Sequence, residues 1–376
     1  MKSTYIFLFS CIISLNSCLA KASSIDTNLS ICDKKATKET KALYQKLNHI
    51  RTKGFLFGHQ DDLAYGVNWK YEANRSDVKD VVGDYPAVYG WDIAGIEKDA
   101  VNNIDGIPFD KMRQFIQDVN ARGGINTISW HLDNPMTGKD AWDNSTKSIS
   151  SILPKGENHQ KFSIWLDKTA HFLRSLKDKN GRDIPILFRP YHELTGNWFW
   201  WGKGNCSPED FKILWKFTFT YLQKKGVHNL IYVYNTADFN SKEAFLENYP
   251  GADYADILSF DKYQYTDPTK DNSFVEDCQK QFEILDQIAK KQHKPIAFAE
   301  TGYEQIPYSK WWTETLMNAI GNYKIAYVLV WRNHGMNVHM DPPHMHYYAP
   351  YPGQVSADDF VNFYKMNSTL FEKDIK

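Results

Sequence analysis

A (β/α)8 barrel in a single domain is the fold class this sequence predicts, and three observations predict it. Eight short apolar, β-branched or aromatic runs recur along the chain. Between many of them lie stretches with the apolar spacing of one helix face. The 376 residues also suit one barrel with insertions, since such barrels typically take about 250 residues. The rival, a doubly wound open sheet, wants a Gly-rich phosphate loop after an early strand, and the chain contains no G-x-G-x-x-G.

The elements follow in order. Runs at 55–57, 87–91 and 125–130 are nearly continuous in apolar residues, as strands buried on both faces must be. A helix is predicted over 109–120, with Met112, Phe115, Ile116 and Val119 on one face. The helix at 162–176 repeats the pattern through Trp165, Leu166, Thr169, Phe172, Leu173 and Leu176. After the fourth run, 184–188, Ser207 reads as an N-cap and Pro208 as the first helical residue of a helix that Gly226 closes. Runs at 230–234, 257–260, 296–299 and 325–331 complete the eight, with helices predicted at 274–291, 311–320 and 358–371. Short helical segments after the first and fifth runs carry little periodicity.

Composition narrows the function. Lys plus Arg number 44 and Asp plus Glu 45, so no charge excess points to nucleic acid or an anionic membrane surface. Aromatic residues make up 15% of the chain, with 12 Trp, more than a core alone requires. Such a surplus suits a cleft that stacks on flat, weakly polar ligands such as sugars.

Residues 1–22 read as an export signal. Lys2 precedes an apolar run over 5–15, too short to span a membrane and of signal-peptide length. Ala20-Lys21-Ala22 offers cleavage before Ser23, while Leu15-Asn16-Ser17-Cys18 resembles a bacterial lipobox that would leave Cys18 lipidated. Both processing routes stay open. The expectation is a bacterial exported protein, in the periplasm or held at the outer membrane by a lipid anchor, with residues 23–376 as the catalytic barrel. Cys32, Cys206 and Cys278 are odd in number and widely spaced, and give neither a disulfide framework nor zinc-ligand spacing.

In a barrel of this kind the chemistry sits at the C-terminal ends of the strands. There the sequence places Gly58-His59-Gln60, Trp91-Asp92, Trp130-His131, Arg189-Pro190-Tyr191-His192-Glu193, Tyr234-Asn235, Asp261-Lys262-Tyr263, Glu300-Thr301-Gly302 and Trp331-Arg332-Asn333-His334. Any one of these is unremarkable; eight together are poorly explained as turns. Carboxylates, aromatics and histidines without a phosphate cradle suit glycoside hydrolysis, which needs one carboxyl group as acid and one as nucleophile or base. Strand-end position narrows the carboxylates to Asp92, Glu193, Asp261 and Glu300, with Asp133 further into its loop. Glu193 precedes Trp198-Phe199-Trp200-Trp201, an aromatic wall that would desolvate it and raise its pKa. Glu300 follows the apolar run 296–299 and is the natural nucleophile, with Arg189 placed to serve it.

The segment from Arg189 to Gly202 resembles the acid/base motif of glycoside hydrolase family 26, the family of many endo-β-1,4-mannanases. Phe298-Ala299-Glu300-Thr301-Gly302 is similar to its nucleophile motif, and matching elements run from about Phe55 to Phe363. The resemblance implies a retaining mechanism with Glu193 as acid/base and Glu300 as nucleophile, and no cofactor or catalytic metal. It implies that His192 bonds near the nucleophile or the sugar 2-hydroxyl and that Tyr263 holds the nucleophile. It also implies Trp198 stacking beyond the cleavage point, Trp331 under the reacting sugar, and His131 and Arg332 on the non-reducing side. The expected substrate is mannan or galactomannan, cut internally to mannobiose and short oligosaccharides by a monomer. Another β-glycan, β-1,3-xylan or mixed-linkage glucan, and a catalytically silent sugar-binding barrel are the alternatives.

Two segments stand apart. The connection over 132–161 is long for a βα loop, typically about 2–6 residues, and could fold over the non-reducing end of the cleft or be solvated. His334, His339, His344 and His346 follow the eighth run at irregular spacing, which reads as cleft lining or loop packing before it reads as a metal site.

Overall fold

The computed structural model describes residues 29–375, and the export signal over 1–22 lies outside them. Eight parallel strands form the barrel: β1 Phe55–Gln60, β2 Val88–Asp92, β3 Ile125–Trp130, β4 Ile186–Pro190, β5 Leu230–Thr236, β6 Ile257–Gln264, β7 Ile296–Tyr303 and β8 Ile325–Val330. Each pairs with the next, and β8 closes on β1 in register from Leu56 opposite Tyr327 to His59 opposite Val330. All eight predicted runs are strands. The fourth starts at Ile186 and not at Ile184, because Pro185 has no N–H to give a ladder and the Ile184 N–H bonds back to Leu176.

Helices α1 Lys38–Ile50, α2 Asp77–Val82, α3 Phe109–Arg122, α4 Ile149–Ile152, α5 His159–Ser175, α6 Pro208–Lys224, α7 Lys242–Leu246 and α8 Ser273–Gln292 cover the barrel and its ends. A helical stretch that begins with a π turn at Trp311–Leu316 and ends as Met317–Ile320, then Ala357–Tyr364, completes the set. The predicted caps are present: Ser207 accepts from the Asp210 N–H at 3.0 Å with Pro208 in the first turn.

The predicted helix over 358–371 stops early. The Thr369 hydroxyl bonds the Phe363 and Met366 carbonyls, terminating the helix at Tyr364. Thr369–Leu370 then runs as a short strand beside Phe55 and Leu56. Helix α1 is an element the sequence reading omits. Its Tyr44, Leu47 and Ile50, spaced by three, join Leu56, Leu187, Ile231, Ile257, Ala297 and Leu329 in one buried cluster, so α1 plugs the end of the barrel away from the catalytic side. Among the described residues no helix is long and apolar enough to cross a membrane, and Cys32, Cys206 and Cys278 are free thiols.

One irregularity aims a catalytic candidate. Phe260 faces Phe298 across β6 and β7, but Asp261 faces Glu300, so β7 carries one extra residue. Ala297 and Ala299 point into the barrel, and strict alternation would turn Glu300 outward with Phe298. The bulge reverses that and brings Glu300 beside Asp261 inside the mouth.

Candidate active site

β4 delivers Arg189 from its inward face, two residues beyond the interior Leu187. The guanidinium lies buried between two carboxylates: Nη1 donates to Asp261 Oδ2 at 2.8 Å and Nη2 donates to Glu300 Oε1. The second oxygen of Glu300 accepts from the Tyr263 hydroxyl at 2.9 Å. Asp261 also accepts from Asn235 Nδ2 at 2.7 Å. Burial pushes the Asp261 carboxyl well above the ordinary range, with Arg189 pulling the other way.

Beyond Pro190 the chain turns sharply. Tyr191 and Glu193 both sit in the left-handed region, at φ of 51° and 53°, a conformation that costs side-chain-bearing residues about 1–3 kcal/mol each. The Asn235 side-chain oxygen holds the turn by accepting the Glu193 N–H at 2.9 Å. Glu193 Oε2 accepts from the Trp198 indole at 2.7 Å. Desolvation, then the nearby Glu300 charge, raise the Glu193 carboxyl to about 7. One oxygen from each of Glu193, Asp261 and Glu300 lies within 4.8 Å of the others.

On the β3 side, Asp92 at the end of β2 bonds His131 Nδ1 at 2.7 Å, and His131 Nε2 meets His192 Nε2 at 3.0 Å. Although burial works against it, the Asp92 partnership holds His131 above the ordinary imidazole range. Burial and the neighbouring His131 charge push His192 well below it, so His192 is neutral. The contact that His192 makes in the chain is with His131, and its buried Nδ1 has no protein partner. The loop 132–161 is anchored and only partly solvated: Ala141, Ile149 and Ile152 are buried, the stretch 136–147 is largely exposed, and Trp142 stacks on His131 with ring centres 5.3 Å apart.

Trp331 donates its backbone N–H to Thr301 at 3.1 Å and keeps its half-buried ring toward His131. Arg332 pairs with Asp105 at 2.9 Å and donates to the Tyr65 hydroxyl at 3.3 Å. That hydroxyl donates in turn to the fully buried Asp61. Asp61, Tyr65 and Asp105 are absent from the sequence reading. Asp61 directly follows a strand end and could have been found there, whereas Asp105, before Gly106, looks like any turn aspartate.

A pair of glutamates at the C-terminal mouth of a (β/α)8 barrel, one raised in pKa and one held between an arginine and a tyrosine, defines a glycoside hydrolase. The profile of Glycosyl hydrolase family 26 matches residues 32–342, and the chain belongs to that family. A mannan endo-1,4-beta-mannosidase of Bifidobacterium adolescentis is 31% identical over 371 residues, covering 93% of this chain and 36% of its own length. This chain thus spans about a third of that relative. A mannan endo-1,4-beta-mannosidase of Bacillus subtilis strain 168 is 30% identical over 79% of this chain and 80% of its own. Among solved structures, a family 26 β-mannanase from Bacteroides ovatus superposes with a TM-score of 0.85 at 46% identity, over 90% of this chain and 96% of that one.

Proposed function

We propose that this enzyme is a retaining endo-β-1,4-mannanase, with Glu193 as acid/base and Glu300 as nucleophile. The observation that carries the reading is the close approach of the two carboxyl groups, with oxygens within 4.8 Å. Retaining enzymes hold their carboxyl groups about 5–5.5 Å apart, while inverting ones leave about 6.5–9.5 Å for a water between them. Glu300, held by the Arg189 guanidinium and aligned by Tyr263, attacks the anomeric carbon as Glu193 protonates the departing oxygen. Glu193, now a carboxylate, then takes a proton from the water that releases the sugar. In this reading Trp198 and Trp331 are stacking surfaces, and His131, His192 and Arg332 line the sugar path. The mannan preference rests on what the relatives are named for. Export of the chain is part of the same proposal on the strength of residues 1–22 alone, and the mass of the mature protein reports which cleavage occurs.

An early product time course on unbranched β-1,4-mannan, galactomannan, β-1,3-xylan and mixed-linkage glucan tests the substrate. Mannobiose and longer mannooligosaccharides are expected. Release from xylan or glucan alone would keep the two glutamates and sink the mannan assignment, and binding without any release would favour the silent sugar-binding barrel. Because the 132–161 loop has a buried interior, its role is best tested at its exposed tip. Trp142→Ala should lengthen the early products if the loop shortens the cleft; an unchanged product pattern would reject that role.

The acid must be protonated to act, so kcat/KM should fall as pH rises past about 7, the value at which Glu193 is held in the free enzyme. The Trp198 indole bond favours the ionised form and lowers that value. Trp198→Phe should therefore move the alkaline limb of kcat/KM upward by roughly half to one pH unit. A limb that stays in place would show that this bond does not tune the acid.

A further inference from the structure

Past the end of β7 and past β8, two loops meet at a cluster that the glycosidase chemistry does not use. Gly335–Asn337 and His344–His346 form a small antiparallel hairpin with Gly335 opposite His346 and Asn337 opposite His344. Strand alternation puts both imidazoles on one face and Met345 on the other. They converge on a single atom: Glu304 Oε1 lies 3.0 Å from His344 Nε2 and 2.7 Å from His346 Nδ1.

The hydrogen-bond roles at His344 do not close without a positive charge. His344 Nδ1 lies 2.9 Å from the Pro342 carbonyl, which can only accept, so Nδ1 carries a hydrogen. In the neutral ring Nε2 is then a lone pair facing a carboxylate oxygen, acceptor against acceptor. Either a proton or a metal ion must stand between them. A backbone carbonyl that fixes the tautomer and aims the other nitrogen is the outer support metal-binding histidines commonly have.

We propose that Glu304, His344 and His346 form a structural site for a zinc-class divalent cation. Glu304 Oε1 lies 3.0 and 2.7 Å from the two nitrogens and all three atoms fall within 4.8 Å of one another, so small shifts reach the ~3.3 Å ligand separations that bonds of about 2.0–2.1 Å make around a tetrahedral ion. Two imidazoles and one carboxylate select zinc or a similar borderline metal; calcium, which takes about 6–8 oxygen ligands, is excluded by the same donor set. A water completes the shell, and His334, whose buried Nδ1 has no partner, stands beside His346 with ring centres 6.5 Å apart.

The cation would clamp the β7 loop to the hairpin after β8. The Tyr348 ring, 5.2 Å from that of His346, packs so closely on Gly302 that a Cβ there would come within 2.3 Å of it. It also lies edge-on to Tyr263, whose hydroxyl holds Glu300. The ion thus steadies the rim of the cleft and takes no part in bond cleavage.

Zinc titration of the untagged chain by calorimetry tests this, with cobalt as a spectroscopic stand-in. Expected are one equivalent of zinc, visible d–d bands of a tetrahedral cobalt site, and a thermal midpoint that falls when a chelator is added. Glu304→Gln, which keeps the side-chain shape, and the double variant His344→Ala/His346→Ala should each weaken zinc by ~100-fold or more. No binding by the parent chain would overturn the proposal and leave a proton in the gap. Binding retained in both of these variants but lost in Glu193→Gln would place the ion on the catalytic carboxylates, and would overturn it equally. None of these readouts depends on which polysaccharide the enzyme cuts.

Discussion

Glu300→Ala is expected to lower kcat on β-mannan by about 10⁴-fold or more while leaving the fold intact. The loss has a particular chemical signature. With the carboxylate gone, the α face of the anomeric carbon opens to a small anion, while Glu193 still supplies a proton to the leaving group. Azide should restore turnover of an activated aryl β-mannoside in one displacement, giving the α-mannosyl azide. The fold should survive because Arg189 keeps Asp261 as its carboxylate partner. Breaking a buried pair on one side costs about 3–5 kcal/mol, so a lowered thermal midpoint should accompany the loss of activity. A β-azide from this variant, or turnover within tenfold of the parent, would remove Glu300 from the nucleophile's place.

Glu193→Ala should behave differently in three respects. On mannan, where the departing sugar oxygen needs a proton, kcat should drop by about 10²–10⁴-fold. On a dinitrophenyl glycoside, whose leaving group needs none, the first step should survive and the glycosyl-enzyme should accumulate, visible as a burst and as an added mass on Glu300. Azide should then attack that intermediate and give the β-mannosyl azide, opposite in configuration to the product of the Glu300 variant. The alkaline limb near pH 7 should also vanish from the first step. If the two variants gave the same azide anomer, the division of labour between the glutamates would be wrong.

What the sequence discloses here, and what it conceals, follows from the range of the forces involved. Apolar runs reveal all eight strands because burial on both faces demands them, and the glutamates are visible because strand ends are fixed points in a barrel. The bulge in β7 is invisible. Nothing in Phe298-Ala299-Glu300 says that an extra residue turns Glu300 inward; that is decided by pairing with β6 and β8. The Asp105–Arg332 pair joins residues that no periodicity connects. His192 illustrates the same limit: its place after β4 is legible, whereas its bond to His131 depends on how two strands and a loop pack. The predicted helix at 358–371 overruns because what ends it at Tyr364, the Thr369 hydroxyl bonding back to the Phe363 and Met366 carbonyls, leaves no mark in the apolar pattern.

The short strand Thr369–Leu370 bears on the order in which the molecule assembles. It occupies the lower part of β1 at Phe55 and Leu56, where β2 does not reach; β2 pairs only from Gly58 onward. The opposite flank of β1 is taken by β8. Strand β1 therefore has its partners on one side in residues 325–330, and on part of the other in residues 369–370, far along the chain from it. Contacts so distant in sequence carry a large loop-closure cost and form slowly. Until residue 370 emerges, β1 presents open backbone groups that invite pairing with another chain. The nascent protein is thus exposed to misassembly along β1 for as long as residues 369–370 are missing, and its seam is sealed only when they join β1.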